Sequence, residues 1–489
     1  MARPTHSSSS RTAVFWTRND LRIADNPALS AALESGASVV ALYVLDDHTA
    51  GKWRLGGASR WWLDGSLRRL AESLRSLNVQ LVLRRGLAKE VVPAFMKEAG
   101  GAEIFWNRRY GAAERLADQD LKASLRSDGY TVRSFNGSLL TEPQTITTGA
   151  GGPYKTYSPF WRTVRPKINK SAPLPAPERG QHSLSNYPSD ALDAWRLTPQ
   201  SPNWAAEFPE HWEPGEAGAM KKLDAFLDGC IDGYVDGRDV PGRRATSRLS
   251  PHLQFGEISP RQIVWSASAQ GDGAAVEKFL SELGWREFSY HLLYHFPDFP
   301  EKNWRTDFDA FPWREDEFGF AAWTKGQTGY PLVDAGMREL WATGYMHNRV
   351  RMIAASFLTK HLLMDWRRGE EWFWDTLLDA DIANNSVSWQ WVAGSGADAA
   401  PYFRIFNPSA QGERFDSDGD YVRKWVPELE KLPSKYIHAP WTAPEAVLRE
   451  AKIRLGATYP GPIVDHAHAR VRALDAFKSI SHANRGNEP

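Results

Sequence analysis

Residues Ser38 to Leu45 read SVVALYVL. The run is apolar almost throughout and rich in β-branched side chains, with no polar residue at every second position. That pattern predicts a strand buried on both faces, the kind found inside a parallel sheet. The flanks agree. Upstream, Thr12 to Trp16 is a short β-type run, and Asn26-Pro27 opens a helix with proline in the first turn, where its missing N–H costs nothing. Downstream, Leu63, Leu67, Leu70, Leu74 and Leu77 recur at helical spacing. Strand Gln80 to Leu83, a helix through Val91, strand Glu103 to Trp106, a helix around Arg115 to Leu125 and strand Thr131 to Phe135 follow. Alternating strands and helices predict an α/β fold with a doubly wound parallel sheet. No GxGxxG follows the first strand, so the usual dinucleotide fingerprint is missing from this half.

The composition then changes. From Gly149 to Gly215 the chain is rich in proline, glycine and serine (GAGGPY, APLPAPERG, PQSPNW) and reads as a linker lying across the surface. Beyond Glu216 amphipathic helical patterns cover Ala219 to Leu227, Glu277 to Leu293, Leu332 to Leu340 and Asn348 to Leu363. The predicted plan is a disordered tail at 1–11, an α/β domain at 12–140, a linker at 141–215, an all-α domain at 216–475 and a short tail at 476–489.

Formal charge is +0, from 59 basic and 59 acidic residues, which excludes a protein that coats nucleic acid by diffuse charge and leaves room for a local basic patch. The single cysteine, Cys230, excludes an internal disulfide framework and a thiolate zinc cage; a buried thiol in a reducing compartment is expected. No apolar run approaches the roughly 18 residues of a membrane span, and Met1 to Arg11 lacks the apolar core of a secretory signal. A cytoplasmic protein without membrane attachment is expected. The 22 tryptophans are densest from Trp285 onward, where they suit a large helical core, a surface that stacks planar ligands, or a path for electrons.

Three clusters carry chemistry. Tyr234 to Arg238 and Gly242 to Ser250 (GRRATSRLS) form a loop of small, hydroxyl and basic residues before a helix start, a composition that binds phosphate oxygens or is simply a solvated basic loop. Glu282, Trp285, Arg286 and Ser289 stand at i, i+3, i+4 and i+7 and share one helix face. Asn348 and Met352 sit one turn apart beside Arg349 and Arg351, and Asp379, Ala380, Asp381 and Asn385 lead into Trp389 and Trp391. A capped helix end beside a packed aromatic pair would give the same letters. The aspartate pair lacks the further oxygen ligands or histidines that a metal needs.

Longer stretches are more specific. GYMHNRVRMIAASFLTKHLLMDW, then DADIANNSVSWQWVAGSGADAAPYFRIFNP, preceded in order by ATSRLSPHLQFGEISPRQ and SELGWREFSYHLLY, resemble the flavin-binding core of the photolyase/cryptochrome family. WTRNDLRIADNPAL resembles the start of its N-terminal domain, so the resemblance covers Thr12 to about Arg470. It implies FAD bound in the helical domain. Tyr234 and Thr246, Ser247, Arg248, Leu249 and Ser250 would hold pyrophosphate and ribose. Arg351 would pair with Asp379 near the isoalloxazine, Ala380 and Asp381 would lie at the flavin edge, and Asn385 would face N5.

The same resemblance implies a lesion pocket lined by Glu282, Trp285, Asn348, Met352 and Trp391, for a pyrimidine dimer lifted out of DNA. Arg238, Arg286, Arg349 and Arg404 would contact phosphates around it. Trp389, Trp366 and Trp313 match the family's electron relay. Two residues on a helix lie about 200° apart, so Trp389 and Trp391 can face different partners. Methionine at 352, rather than histidine, is the form seen in enzymes that split cyclobutane dimers, and the chain lacks the long C-terminal extension frequent in signalling cryptochromes. The implied activity is therefore light-driven dimer repair in class I or III style by a monomer, with a photoreceptor as the alternative. A second, antenna chromophore is implied too. Glu114 matches a pterin-binding carboxylate and favours a methenyltetrahydrofolate-type folate, while Ala113, where folate sites carry asparagine, and the loop Phe299-Pro-Glu-Lys302 leave a deazaflavin or flavin open.

Overall fold

The computed structural model describes residues 11–179, 184–398 and 403–485. Strands β1 (Thr12–Thr17), β2 (Ser38–Leu45), β3 (Gln80–Arg85), β4 (Gly101–Asn107) and β5 (Thr131–Phe135) form an all-parallel sheet in the order β3-β2-β1-β4-β5. β1 is central, with Val14 opposite Val40 on one side and Ile104 on the other. Both faces of the central strands are covered, which is why β1 and β2 read as almost unbroken apolar runs. On one face α1 (Pro27–Glu34) and α2 (Gly57–Ser76) bury Leu29, Trp62, Leu67 and Leu70; on the other α3 (Ala88–Glu98) and α4 (Ala112–Ser127) bury Phe95, Met96, Leu121 and Leu125. Asn26 caps α1 by accepting from Leu29 N, and Pro27 occupies its first turn, as its sequence predicts. β3 outruns the predicted strand because its last residues are charged: Arg84 pairs with Glu98 and Arg85 with Asp47 at the sheet's rim.

The crevice beyond the carboxyl ends of β1 and β4, where the strand order reverses, is filled by the protein itself. Arg18 is buried there, its guanidinium 4.1 Å from the Trp16 ring centroid and ion-paired with Asp118 at 3.3 Å. Burial lowers its pKa to about 10 against the pull of Asp118.

Three expectations need correction. The stretch 141–215 is not merely a surface linker. It contains α5 (Tyr157–Val164), whose Phe160 and Val164 pack into the helical domain, and it sends Trp195, Leu197, Phe208 and Trp212 into the sheet's own core. Proline and glycine signal irregular backbone, but single aromatic anchors leave no periodicity to read. Residues 476–485 are not a frayed tail. The helix His466–Arg485 continues through them, burying Ala476 and Ile480 against Phe308, Phe311 and Phe403. Cys230 is half-buried rather than buried, its Sγ 3.1 Å from Arg244 O.

The predicted helix Asn348 to Leu363 is α-helical only over Asn348–Ser356 and widens into a π turn at Phe357–His361. Within that turn Lys360 is buried and donates to Val392 O at 2.7 Å, satisfying a carbonyl at the end of helix Ile382–Ala393.

Candidate functional site

A cavity of about 570 Å³ opens in the helical domain. Helix Ala274–His295 contributes Glu282, Trp285, Arg286 and Ser289 from one face, as their spacing predicts. Helix Asn348–Ser356 contributes Asn348, Arg349, Arg351 and Met352; the turn Asp379 to Asp381 and the helix after it contribute Asn385, Trp389 and Trp391. Tyr234, Arg238 and Thr246 to Ser250 complete the wall. Trp366, Trp313, Arg404 and Glu114 do not line it.

Within the cavity Arg351 grips Asp379 with both terminal nitrogens, at 3.0 and 2.8 Å, and Ser250 Oγ donates to the same carboxylate. The fork-to-fork pair ties helix Asn348–Ser356 to the Asp379 turn, and the Ser250 hydroxyl ties the Thr246–Ser250 loop to the same carboxylate. Arg248 adopts a left-handed backbone (φ 51), and its guanidinium lies 4.5 Å from the Trp212 ring and 4.7 Å from Tyr345, with Nε unpartnered. Asp381 caps its helix through Asn384 N at 2.8 Å, and its other oxygen accepts the Tyr290 hydroxyl, so its carboxylate is fully engaged by the protein. Asn385 Nδ2 donates to Glu370 O at 3.0 Å, which fixes the side-chain amide at the cavity wall. Glu370 itself lies behind Asn385, fully buried, and burial pushes its carboxyl up to about 8.

The charged residues at the other side of the cavity form an electrostatic chain. Glu282 accepts from Arg238 and from Lys278 at 3.0 Å. Arg349 pairs with Asp239 at 2.7 Å and lies over the Phe415 ring at 4.5 Å. Trp285 stacks on Tyr157 of α5 at 3.7 Å with planes 10° apart, so the segment first read as linker backs the cavity wall. Arg286 departs from its expected phosphate contact. It turns inward, donating to Ser138 O at 2.9 Å and lying 4.9 Å from the Tyr290 ring, and so ties the helical domain to the end of the α/β domain. Arg404 is exposed beside Phe406, and its neighbours 399–402 lie outside the described residues.

Trp389 and Trp366 are buried in one core with Trp313 packed against it. Trp366 donates to Asn303 Oδ1 at 2.9 Å, and Trp313 is half-buried beside Phe311 at 4.3 Å. Gly369 makes room for Trp389: a Cβ there would lie 2.1 Å from its ring. Glu114 pairs with Arg109 at 3.3 Å in the first turn of α4.

Residues 279–479 match the family model described as the FAD binding domain of DNA photolyase, and residues 13–178 match the DNA photolyase model. The chain is 53% identical to a deoxyribodipyrimidine photo-lyase of Agrobacterium fabrum over 96% of its own length and 98% of that protein. The chain belongs to the DNA photolyase family. Within this family its structure resembles the crystal structure of a bacterial class III photolyase from Agrobacterium tumefaciens, with a TM-score of 0.94 and 51% identity over 98% of this chain and 100% of that one. Cryptochrome-1 of Arabidopsis thaliana is 39% identical over 96% of this chain and 70% of that protein. The α/β domain joined to a helical FAD-binding domain is thus the photolyase architecture.

Sequence reasoning missed four photolyase-site neighbours. Lys278 stands four residues before Glu282, a spacing that could have marked it. Tyr157, Asp239 and Tyr345 reach the site from loops and neighbouring elements, where no periodicity points to a partner.

Proposed function

We propose that this photolyase repairs cyclobutane pyrimidine dimers in DNA, using light and an FAD held in the cavity. The carrying observation is that Glu282, Trp285, Asn348, Met352 and Trp391 line the same cavity as the Arg351–Asp379 pair and the Thr246–Ser250 loop. The donor set fits the cofactor. Backbone amides, hydroxyls and Arg248 suit a pyrophosphate, and an amide at the position of Asn385 suits a ring nitrogen that gains a proton. Bound reduced FAD supplies the electron that opens the dimer.

The protein's part is to bind, orient and exclude water. Trp285 and Trp391 offer flat apolar walls to the saturated rings of a dimer extruded from the duplex, and the poor stacking of such a lesion lowers the cost of extrusion; photolyases are themselves a standard example of base flipping. Asn348 and Glu282 offer hydrogen bonds to the pyrimidine edges. Arg238, Arg349 and Arg404 meet phosphates, which position the strand without reading its sequence. Trp389, Trp366 and Trp313 carry electrons inward from the surface. Glu114 marks the antenna region; a folate fits better than a deazaflavin, since Arg18, Trp16 and Trp106 already fill the sheet's crevice. A cytoplasmic monomer completes the reading.

The likeness to Arabidopsis Cryptochrome-1 supports a second reading, a blue-light photoreceptor on the same scaffold. Illumination of purified protein with an oligonucleotide carrying one thymine dimer separates the two. Light-dependent loss of the dimer is expected; a flavin-loaded protein that leaves the dimer intact under light would favour the photoreceptor.

A further inference from the structure

The two faces of the Trp285 indole meet different surroundings. One lies on the Tyr157 ring, with centroids 3.7 Å apart and planes 10° apart, and Trp161 continues the stack behind Tyr157 with planes 12° apart. The surface that Trp285 offers to the cavity is therefore its other face and its edges. Tyr157 is buried and firmly tied. Its hydroxyl donates to Ser281 O at 2.6 Å, one turn before Trp285 on the same helix. Its backbone N–H donates to Asp398 Oδ2 at 3.2 Å, in the loop that follows the helix carrying Trp391. Trp161 presses on the Trp285 helix at Gly284, where a Cβ would lie 2.5 Å from its ring. One residue of the connecting segment thus braces one apolar wall of the cavity and is tied to the chain just beyond the other.

We propose that Tyr157 is a positioning residue for the extruded dimer: by stacking behind Trp285 it fixes that wall before the lesion arrives. The inference rests on the DNA-repair reading above. A tryptophan has side-chain freedom to lose when a ligand settles on it, and a wall already fixed by its neighbours spares the ligand that cost. Phe288 meets the indole edge-on, at 6.0 Å and 76°, and would let it tilt once the stack is gone. A non-aromatic side chain at 157 leaves space behind the indole for that tilt. The effect reaches only a ligand that lies on Trp285. A dimer lifted into the cavity does so; undamaged duplex, which keeps its bases stacked and is held by its phosphates, does not. The contribution of Tyr157 therefore survives in the ratio of the two affinities.

The test uses the FAD-loaded full chain and its Tyr157→Leu, Tyr157→Met and Tyr157→Phe variants. Flavin retention and denaturation midpoint report the fold, and affinity is measured for a duplex with one thymine dimer and for the same duplex undamaged. Leucine and methionine keep apolar bulk without a flat ring, and each should weaken binding of dimer DNA about three- to tenfold, the range of one aromatic stack, with undamaged DNA bound as before. Phenylalanine keeps the ring and loses only the hydroxyl, so it should restore the parent's affinity. In a Trp285→Ala background, Tyr157→Leu should cause no further loss, since the residue it acts through is gone. Unchanged dimer affinity in the two non-aromatic variants, an equal loss on both duplexes, no rescue by phenylalanine, or a full further loss without Trp285 would overturn the proposal. Loss of flavin from both non-aromatic variants would also overturn it, by giving Tyr157 a general structural role. A flavin-loaded parent that bound both duplexes equally would instead overturn the repair reading, and the proposal with it.

Discussion

At the residue scale, Glu282 has two cationic neighbours and, on the reading proposed above, a place beside the lesion, while Trp389 lines the same cavity but is almost wholly buried in the core. Their expected losses therefore differ. Glu282→Ala should retain FAD and slow dimer repair about tenfold or more, the size of one strong charged contact; single-turnover repair under saturating light measures it. Trp389→Phe should abolish photoreduction of oxidised FAD yet spare repair by chemically reduced protein, which absorbance spectra before and after illumination report. The shared helix face of Glu282 was legible in the sequence through its i, i+3, i+4, i+7 companions, while Trp389 was singled out by the resemblance to the family and not by any periodicity. The partners of Arg349 and Trp285 were not legible. Asp239 and Tyr157 reach them across long gaps in the chain, and one side chain arriving from a loop leaves no pattern.

At the scale of elements, the π turn Phe357–His361 was read as continuous helix because its apolar residues keep near-helical spacing. It matters for packing. Among the described residues Lys360 has no carboxylate partner; it donates to Val392 O and faces Phe403 at 4.0 Å. Burial drives its pKa from 10.5 down to about 7. The unfolded chain then binds more protons than the folded one between these values, so the contribution of Lys360 to stability rises as pH rises through 7. Lys360→Met removes that dependence. Its melting temperature relative to the parent should be most favourable near pH 6 and decline by about pH 9; a constant difference across that range would contradict the assignment. The central strands β1 and β2 were legible because burial on both faces leaves a nearly unbroken apolar run, whereas the flanking strands were found by their alternation with helices.

At the scale of the molecule, the two domains are fastened by buried polar groups whose partners lie far apart in sequence, which is why their docking was not legible. Glu257 is fully buried and collects Trp62 Nε1 at 3.1 Å, Ser66 Oγ, Gly215 N at 2.7 Å and His252 Nδ1, joining α2, the connecting segment and the helical domain just beyond the Thr246–Ser250 loop. Glu257→Ala strands several donors at once and should cost about 3–5 kcal/mol, seen as a lowered denaturation midpoint with earlier flavin release. That clamp, the Arg351–Asp379 pair and the stacked Trp285 together hold one cavity open to both a cofactor and a lesion. The most direct measurement of that arrangement is the absorption spectrum of the bound, reduced flavin as a thymine-dimer oligonucleotide is titrated in. The spectrum should shift with the dimer, stay still with undamaged DNA of the same sequence, and lose its response in Trp285→Ala. A flavin spectrum indifferent to a bound dimer would contradict the account, because it would mean the two do not share the cavity.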